Sequence, residues 1–164
     1  MGITVIDRVR QNHAIEHGTV AVLLERGART PLAGNATPGG FNIYGYVSKE
    51  DVDSATSEAL RRLQGGDSEL AVSPFCGTNL MVGALLAGLV LGAIMGRSRS
   101  RFRRLPLAAI GVVGSTLLGR PLGNIVQRHL TTLADVERVE ITGIGRIKLG
   151  RFTVHRVRTV LQAR

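Results

Sequence analysis

Cys76–Met95 reads CGTNLMVGALLAGLVLGAIM, twenty residues without a charge. At 1.5 Å of rise per residue, that is the length a helix needs to cross a bilayer core of roughly 30 Å. A second apolar run, LPLAAIGVVGSTLLG, covers Leu105–Gly119 and stops at Arg120. The link between them, residues 97–104, is RSRSRFRR. One buried soluble helix would explain either run alone. Two in tandem around a short basic link predict a transmembrane hairpin over 76–127. Both runs carry small residues four apart, Ala84, Gly88, Gly92 and Gly96 in one and Gly111, Ser115, Gly119 and Gly123 in the other. Such rows form flat faces that let two backbones approach in lipid, so the hairpin is expected to pack on itself.

The flanks are polar and patterned. Before the hairpin, residues 3–26 carry Ile6, Val9, Val20 and Leu24 at helical spacing. A Gly- and Pro-rich stretch, GARTPLAGNATPGG, follows as a loop, and FNIYGYV (41–47) alternates like a strand. Ser48 with Asp51 marks a helix start, Val52, Ala55, Ala59 and Leu63 give that helix an apolar face, and Gly65–Gly66 end it. ELAVS (69–73) reads as a short strand. After the hairpin, VERVEIT, IGRIKL and FTVHRVRTV alternate again. The expected fold is therefore an α+β membrane-anchored domain. It has a small mixed sheet and two amphipathic helices, divided as residues 1–75, the hairpin 76–127, and a β-rich segment 128–164 that completes the sheet.

Net charge is +9 and the chain has one cysteine. A basic balance suggests nucleic acid in a soluble protein, but beside two apolar spans it is explained more simply by contact with anionic lipid headgroups. A lone cysteine excludes an internal disulfide framework. MGITVIDRVRQ lacks the apolar core of a secretory signal, and Ile6 spoils the myristoylation pattern. The arginines at 97, 99, 101, 103 and 104 argue for a cytoplasmic link. That would export about 75 folded residues with no signal, whereas Arg61, Arg62, Arg128 and Arg138 flank the other side. The reading adopted is a bacterial plasma-membrane protein with two spans and cytoplasmic N- and C-terminal segments.

The chemistry is concentrated in HAIEH, residues 13–17. His13 and His17, four apart, share one helix face about 5–6 Å from each other, close enough to bind one metal. They fall within the predicted apolar stripe, where an unpartnered polar group is costly. HxxEH is the inverted zincin pattern, with two histidine ligands and a glutamate base. Zinc held this way acidifies a water, and Glu16 takes the proton. A third ligand is needed. Cys76, in PFCGTN at the start of the first span, would complete a His2Cys set. Glu69 and Glu58 are the carboxylate alternatives. Thr78 and Asn79 read as the helix cap, or as hydrogen-bonding groups for substrate or a ligand. His155 in TVHRV reads as a surface-strand histidine and His129 as interfacial. GNATPGG lacks the strand–loop–helix frame of a phosphate loop.

HAIEH, GGFNIYGYVS, EALRRLQGGDSELAVSP and the CGTN that opens the hairpin together resemble an uncharacterised family of small bacterial membrane proteins. That family, a domain of unknown function, occurs in cyanobacteria and Chloroflexota-like bacteria. The resemblance covers residues 12 to about 95 well and the rest loosely. It implies that HAIEH and CGTN belong to one site, and it supports the membrane hairpin. Members often carry histidine just before the proline of the CGTN loop, where this chain has Ser73, so the resemblance supplies no histidine ligand from that loop.

Three functions are expected in order. The first is a small integral-membrane, zinc-binding protein, a hydrolase acting at the membrane surface, with His13, His17 and Cys76 as ligands and Glu16 as catalytic base. The second is a non-enzymatic accessory subunit of a larger membrane complex or homo-oligomer, with a structural metal or a buried polar network at HAIEH. The third, a membrane-tethered nucleic-acid binder, has only RSRSRFRR in its favour.

Overall fold

The computed structural model describes residues 4–96, 102–149 and 152–162. Contacts divide the chain into two compact units, one from the residues up to Ser73 together with those from Arg128 onward, the other Pro74–Gln127.

The first unit is α+β. It contains α1 (Val5–Glu25), β1 (Ala33–Thr37), β2 (Gly40–Gly45), α2 (Lys49–Gln64), a 3-10 turn (Ser68–Ala71), β3 (Val139–Leu149) and β4 (Phe152–Leu161). The four strands run in the order β1-β2-β4-β3, and every neighbouring pair is antiparallel. The expected mixed sheet is thus corrected: two hairpins, β1–β2 and β3–β4, join through β2 and β4, so no parallel pair arises. Phe41 lies opposite Val157 and Ile43 opposite His155 in that central pairing. Phe41, Ile43 and Val157 are fully buried and meet Ile15, Val22 and Leu23 of α1 and Val52, Ala55 and Ala59 of α2.

Local chemistry explains the elements. Thr4 caps α1 through a reciprocal box with Asp7, whose carboxyl is held low by hydrogen bonds from the Thr4 backbone and side chain. Ser48 accepts from the Asp51 amide and starts α2 as expected. The last four residues of VERVEIT and all of IGRIKL run together as one strand, β3, with a register shift between Ile141 and Gly143, while Val136, Glu137 and Arg138 precede it outside the strand. Two expectations fail. The Gly- and Pro-rich loop contains β1, AGNAT, which has no apolar alternation to announce it. Asn35 fixes β1 instead, accepting from both Asn42 and Tyr44 of β2 at 2.9 Å. ELAVS is not a strand: Ser68–Ala71 is a 3-10 turn.

The buried face of α1 also differs from the predicted stripe. Ile6 is 70% exposed, whereas Gln11, Asn12 and Thr19 are buried beside Ile15, Val22 and Leu23. The polar residues are admitted because they hold backbone. Gln11 donates to the Asp135 carbonyl and Asn12 to that of Thr37, both at 2.7 Å, and Asn12 accepts from Thr159 at 2.7 Å.

The second unit is a pair of helices, α3 (Gly77–Met95) and α4 (Leu105–Val126). Arg103 and Arg104 lie in a 3-10 turn before α4, while Arg97, Arg99 and Arg101 fall outside the described residues. Both helices are long and apolar enough to cross a membrane. On α4 the expected small-residue row packs inward, with Ser115, Gly119 and Gly123 buried. A Cβ built on Gly119 would lie 2.9 Å from the Gly83 Cα, and one on Gly123 would lie 2.6 Å from the Asn79 Cα. On α3 the packing face is Asn79 and Gly83 rather than the expected row. Gly88 and Gly92 meet nothing within 4 Å. The inward face of α3 is fixed by Asn79, whose amide is bonded to α4, and that turns the glycine row outward. The hydroxyls of Ser115 and Thr116 donate to the carbonyls of Gly111 and Val112, which satisfies them within their own helix.

Candidate metal centre

His13 and His17 lie one turn apart on α1, with ring centroids 4.2 Å apart and planes tilted by 58°. His17 is buried and His13 half-buried. Their Nδ1 atoms meet backbone carbonyls, His13 that of Thr131 at 2.9 Å and His17 that of Ala71 at 2.8 Å. A carbonyl only accepts, so both Nδ1 atoms donate, and in each neutral imidazole the lone pair then sits on Nε2. This carbonyl-anchored tautomer is the arrangement that orients metal-ligating histidines. The donor atoms of the pair lie within 4.8 Å of each other.

The backbone around Thr131 is itself held. Arg10 donates to the carbonyls of His129 and Thr132 at 3.0 and 3.2 Å, and the Leu133 amide donates to the Arg10 carbonyl at 3.1 Å. α1 thus grips the backbone of 129–133 from both sides of Thr131. These carbonyl anchors carry no side-chain signal, and the sequence gives no means of finding them.

Glu16 is only 5% exposed and faces β1, not solvent. A Cβ on Gly34 would fall 2.7 Å from the Glu16 Cγ and closer still to its carboxylate. Gly34 is therefore the residue of β1 that admits this side chain. It was passed over in the sequence because it lies in a Gly- and Pro-rich stretch.

The other candidates divide cleanly. Cys76 belongs to the second unit, where it is the N-cap of α3 and its sulfur accepts from the Thr78 amide at 3.4 Å. Thr78 and Asn79 are therefore not the cap. Thr78 faces the Cys76 sulfur, with its Oγ1 at 3.4 Å. Asn79 is buried between the helices, donating to the Pro74 carbonyl at 3.2 Å and to Asn124 at 3.3 Å, and accepting from Gln127 at 2.7 Å. Asn124 and Gln127 were not singled out from the sequence, although amides in an apolar run are a signal. Both Glu69 oxygens are engaged by Arg128, at 2.8 and 2.5 Å, and those hydrogen bonds hold the Glu69 carboxyl below its ordinary range. Glu58 pairs with Arg61 on α2. His129 is exposed. His155 is not a surface residue: it is fully buried, and its Nε2 donates to the Val47 carbonyl at 3.0 Å.

Residues 8–144 match the family described as Domain of unknown function (DUF6391). The chain belongs to that family. An uncharacterized protein of Picosynechococcus sp. (strain PCC 7002) is 38% identical over 134 residues, covering 76% of this chain and 65% of the relative. The chain thus spans less than two thirds of the length of that curated relative. No solved structure matches. The expected resemblance is therefore established, and the DUF6391 family match extends past the hairpin into β3.

Proposed function

We propose that this DUF6391 protein is a two-span protein of the bacterial plasma membrane that binds a metal ion through His13 and His17. The observation that carries the reading is the matched pair of Nδ1–H···O=C bonds, which fixes two adjacent imidazoles with their lone pairs on Nε2. Both rings are thereby held in the orientation that metal-ligating histidines take. Zinc fits two imidazole nitrogens, and a thiolate is the third donor that suits it best. Cys76, the one cysteine of the chain, is the thiolate of this proposal. Zinc in such a set supplies Lewis acidity and an acidified water. Glu16, next to His17 in the same turn, is the base that would accept the proton in hydrolysis of a peptide or lipid-like substrate at the membrane surface.

The membrane reading rests on the outward side chains of the helical pair. Leu80, Ile110 and Leu117 are 77%, 69% and 72% exposed, and large apolar side chains left outward on helices of this length support contact with lipid. Cytoplasmic N- and C-terminal segments remain the orientation we favour.

The burial of Glu16 against Gly34 favours a second reading. A carboxylate enclosed beneath a strand supports a structural metal site or polar network in a non-enzymatic accessory subunit. Elemental analysis of detergent-purified protein tests the first claim: zinc bound by the wild type and lost from His13→Ala is expected, and metal-free wild type would remove the metal reading. A carbonate wash tests the second, since release of the protein as a detergent-free monomer ends the membrane assignment.

A further inference from the structure

Residues 74–127 contain no aspartate or glutamate, and their charges are six arginines, at 97, 99, 101, 103, 104 and 120. Five of these belong to the link before α4. Arg120 does not. It lies on α4, fifteen residues beyond Leu105, about 22 Å along the helix axis from the basic link. Among the described residues, no hydrogen bond or ion pair engages its guanidinium. A guanidinium in an apolar span is costly unless it reaches an anion or the interface.

A groove of about 460 Å³ lies between α3 and α4 on the face that Arg120 borders. Small-ligand sites run from about 300 to 1,000 Å³. Arg120 is the one charged residue of its lining, and Leu80, Ala84 and Ala87 belong to its apolar part. Along α3 it extends from Cys76 to Ala87, about 16 Å. The small side chains at Ala84 and Ala87 keep it open, and the α3 face that packs on α4 is Asn79 and Gly83. Its lining is amphipathic: one cation, Arg120, on α4 about level with Gly83, and the small apolar side chains of Ala84 and Ala87 further along α3.

We propose that this groove holds one anionic phospholipid, its phosphodiester against Arg120 and one acyl chain along Ala84 and Ala87. The inference rests on the membrane reading above. The charge argument selects the lipid: the hairpin offers Arg120 no carboxylate, and an anionic headgroup supplies the missing charge at the depth a snorkelling arginine reaches.

The test uses full-length protein reconstituted in phosphatidylcholine vesicles containing a minor fraction of phosphatidylglycerol. Acyl-chain spin-labelled forms of each lipid report the motionally restricted fraction. Wild type should select phosphatidylglycerol over phosphatidylcholine by about fivefold. Arg120→Gln should bring that ratio close to one, whereas Arg103→Gln with Arg104→Gln should leave the restricted component in place. Ala84→Phe fills the groove without changing charge and should displace it, with helix content checked by circular dichroism. Insertion of wild type with no selectivity, selectivity surviving Arg120→Gln, or a restricted component surviving Ala84→Phe overturns the lipid site alone. Failure of wild type to insert overturns the membrane reading and the lipid site with it.

Discussion

The side chain of Glu16 occupies the space that a Cβ would take at Gly34. A carboxylate is thus set between a helix and the first strand of the sheet, in a place no apolar core needs. The same helix turn presents His17, whose ring is anchored to Ala71. The glycine, the carboxylate and the imidazole form one local arrangement of α1 and β1.

Gly34→Ala should therefore destabilise the first unit. The added methyl has to displace either the Glu16 side chain or the β1 backbone, and overpacking of this kind costs about 1–3 kcal/mol. Thermal melts followed by circular dichroism should show a lower midpoint. An unchanged midpoint would mean that Glu16 has room to move and is not fixed by β1.

Metal content separates the roles within HAIEH. His13→Ala and His17→Ala remove ligands and should abolish zinc binding, with some loss of stability because binding is coupled to folding. Glu16→Gln keeps shape and most hydrogen bonding while removing the base. It should retain about one zinc per chain, as the wild type does, and lose any hydrolytic turnover. If Glu16→Gln empties the site as fully as the histidine variants do, Glu16 is a ligand or a structural partner, and the accessory-subunit reading takes precedence.

Periodicity carried most of the fold and little of the site's surroundings. The Ser48 cap, the apolar face of α2 and the alternating β3 and β4 were legible because side chains of one kind recur at the spacing of the element. AGNAT was not, since β1 is held by Asn35 and backbone pairing. The predicted stripe on α1 failed for a related reason. Gln11 and Asn12 are buried because each binds a carbonyl contributed from far along the chain, Asp135 and Thr37, which no local pattern encodes. The two histidines at helical spacing were legible as a pair. Their tautomers were not, because the carbonyls of Ala71 and Thr131 set them.

His155 makes the fold sensitive to acid. Its Nε2 donates to Val47, and its buried Nδ1 has no hydrogen-bond partner among the described residues. Burial holds its pKa below the ordinary 6.5, and the nearby Arg146 and Lys49 act in the same direction, while the bond to Val47 and the charge of Glu50 oppose it. The unfolded chain then binds the proton more readily than the folded one. Stability is complete above about pH 6.5 and falls as the pH drops towards the lowered value. Denaturant midpoints measured down this range should decline more steeply for wild type than for His155→Leu. Equal slopes would assign the acid sensitivity to other groups.

Two glycines in the helical pair test what covers it. A Cβ at Gly119 would sit 2.9 Å from the Gly83 Cα, whereas at Gly88 it would meet nothing within 4 Å. The substitutions Gly119→Leu and Gly88→Leu change composition identically and helix propensity in the same direction. Only the first forces α3 and α4 apart. Gly119→Leu should therefore lower the thermal midpoint of detergent-solubilised protein and increase its proteolysis, while Gly88→Leu should leave both near wild type, its side chain pointing into lipid or detergent. The informative failure is a Gly88→Leu variant that is stable in detergent but lost from a larger assembly in native membranes. That result would place another subunit against the outward glycine row of α3, since only a close-packed helix would exclude a leucine there, and it would favour the accessory-subunit reading over the self-contained hydrolase.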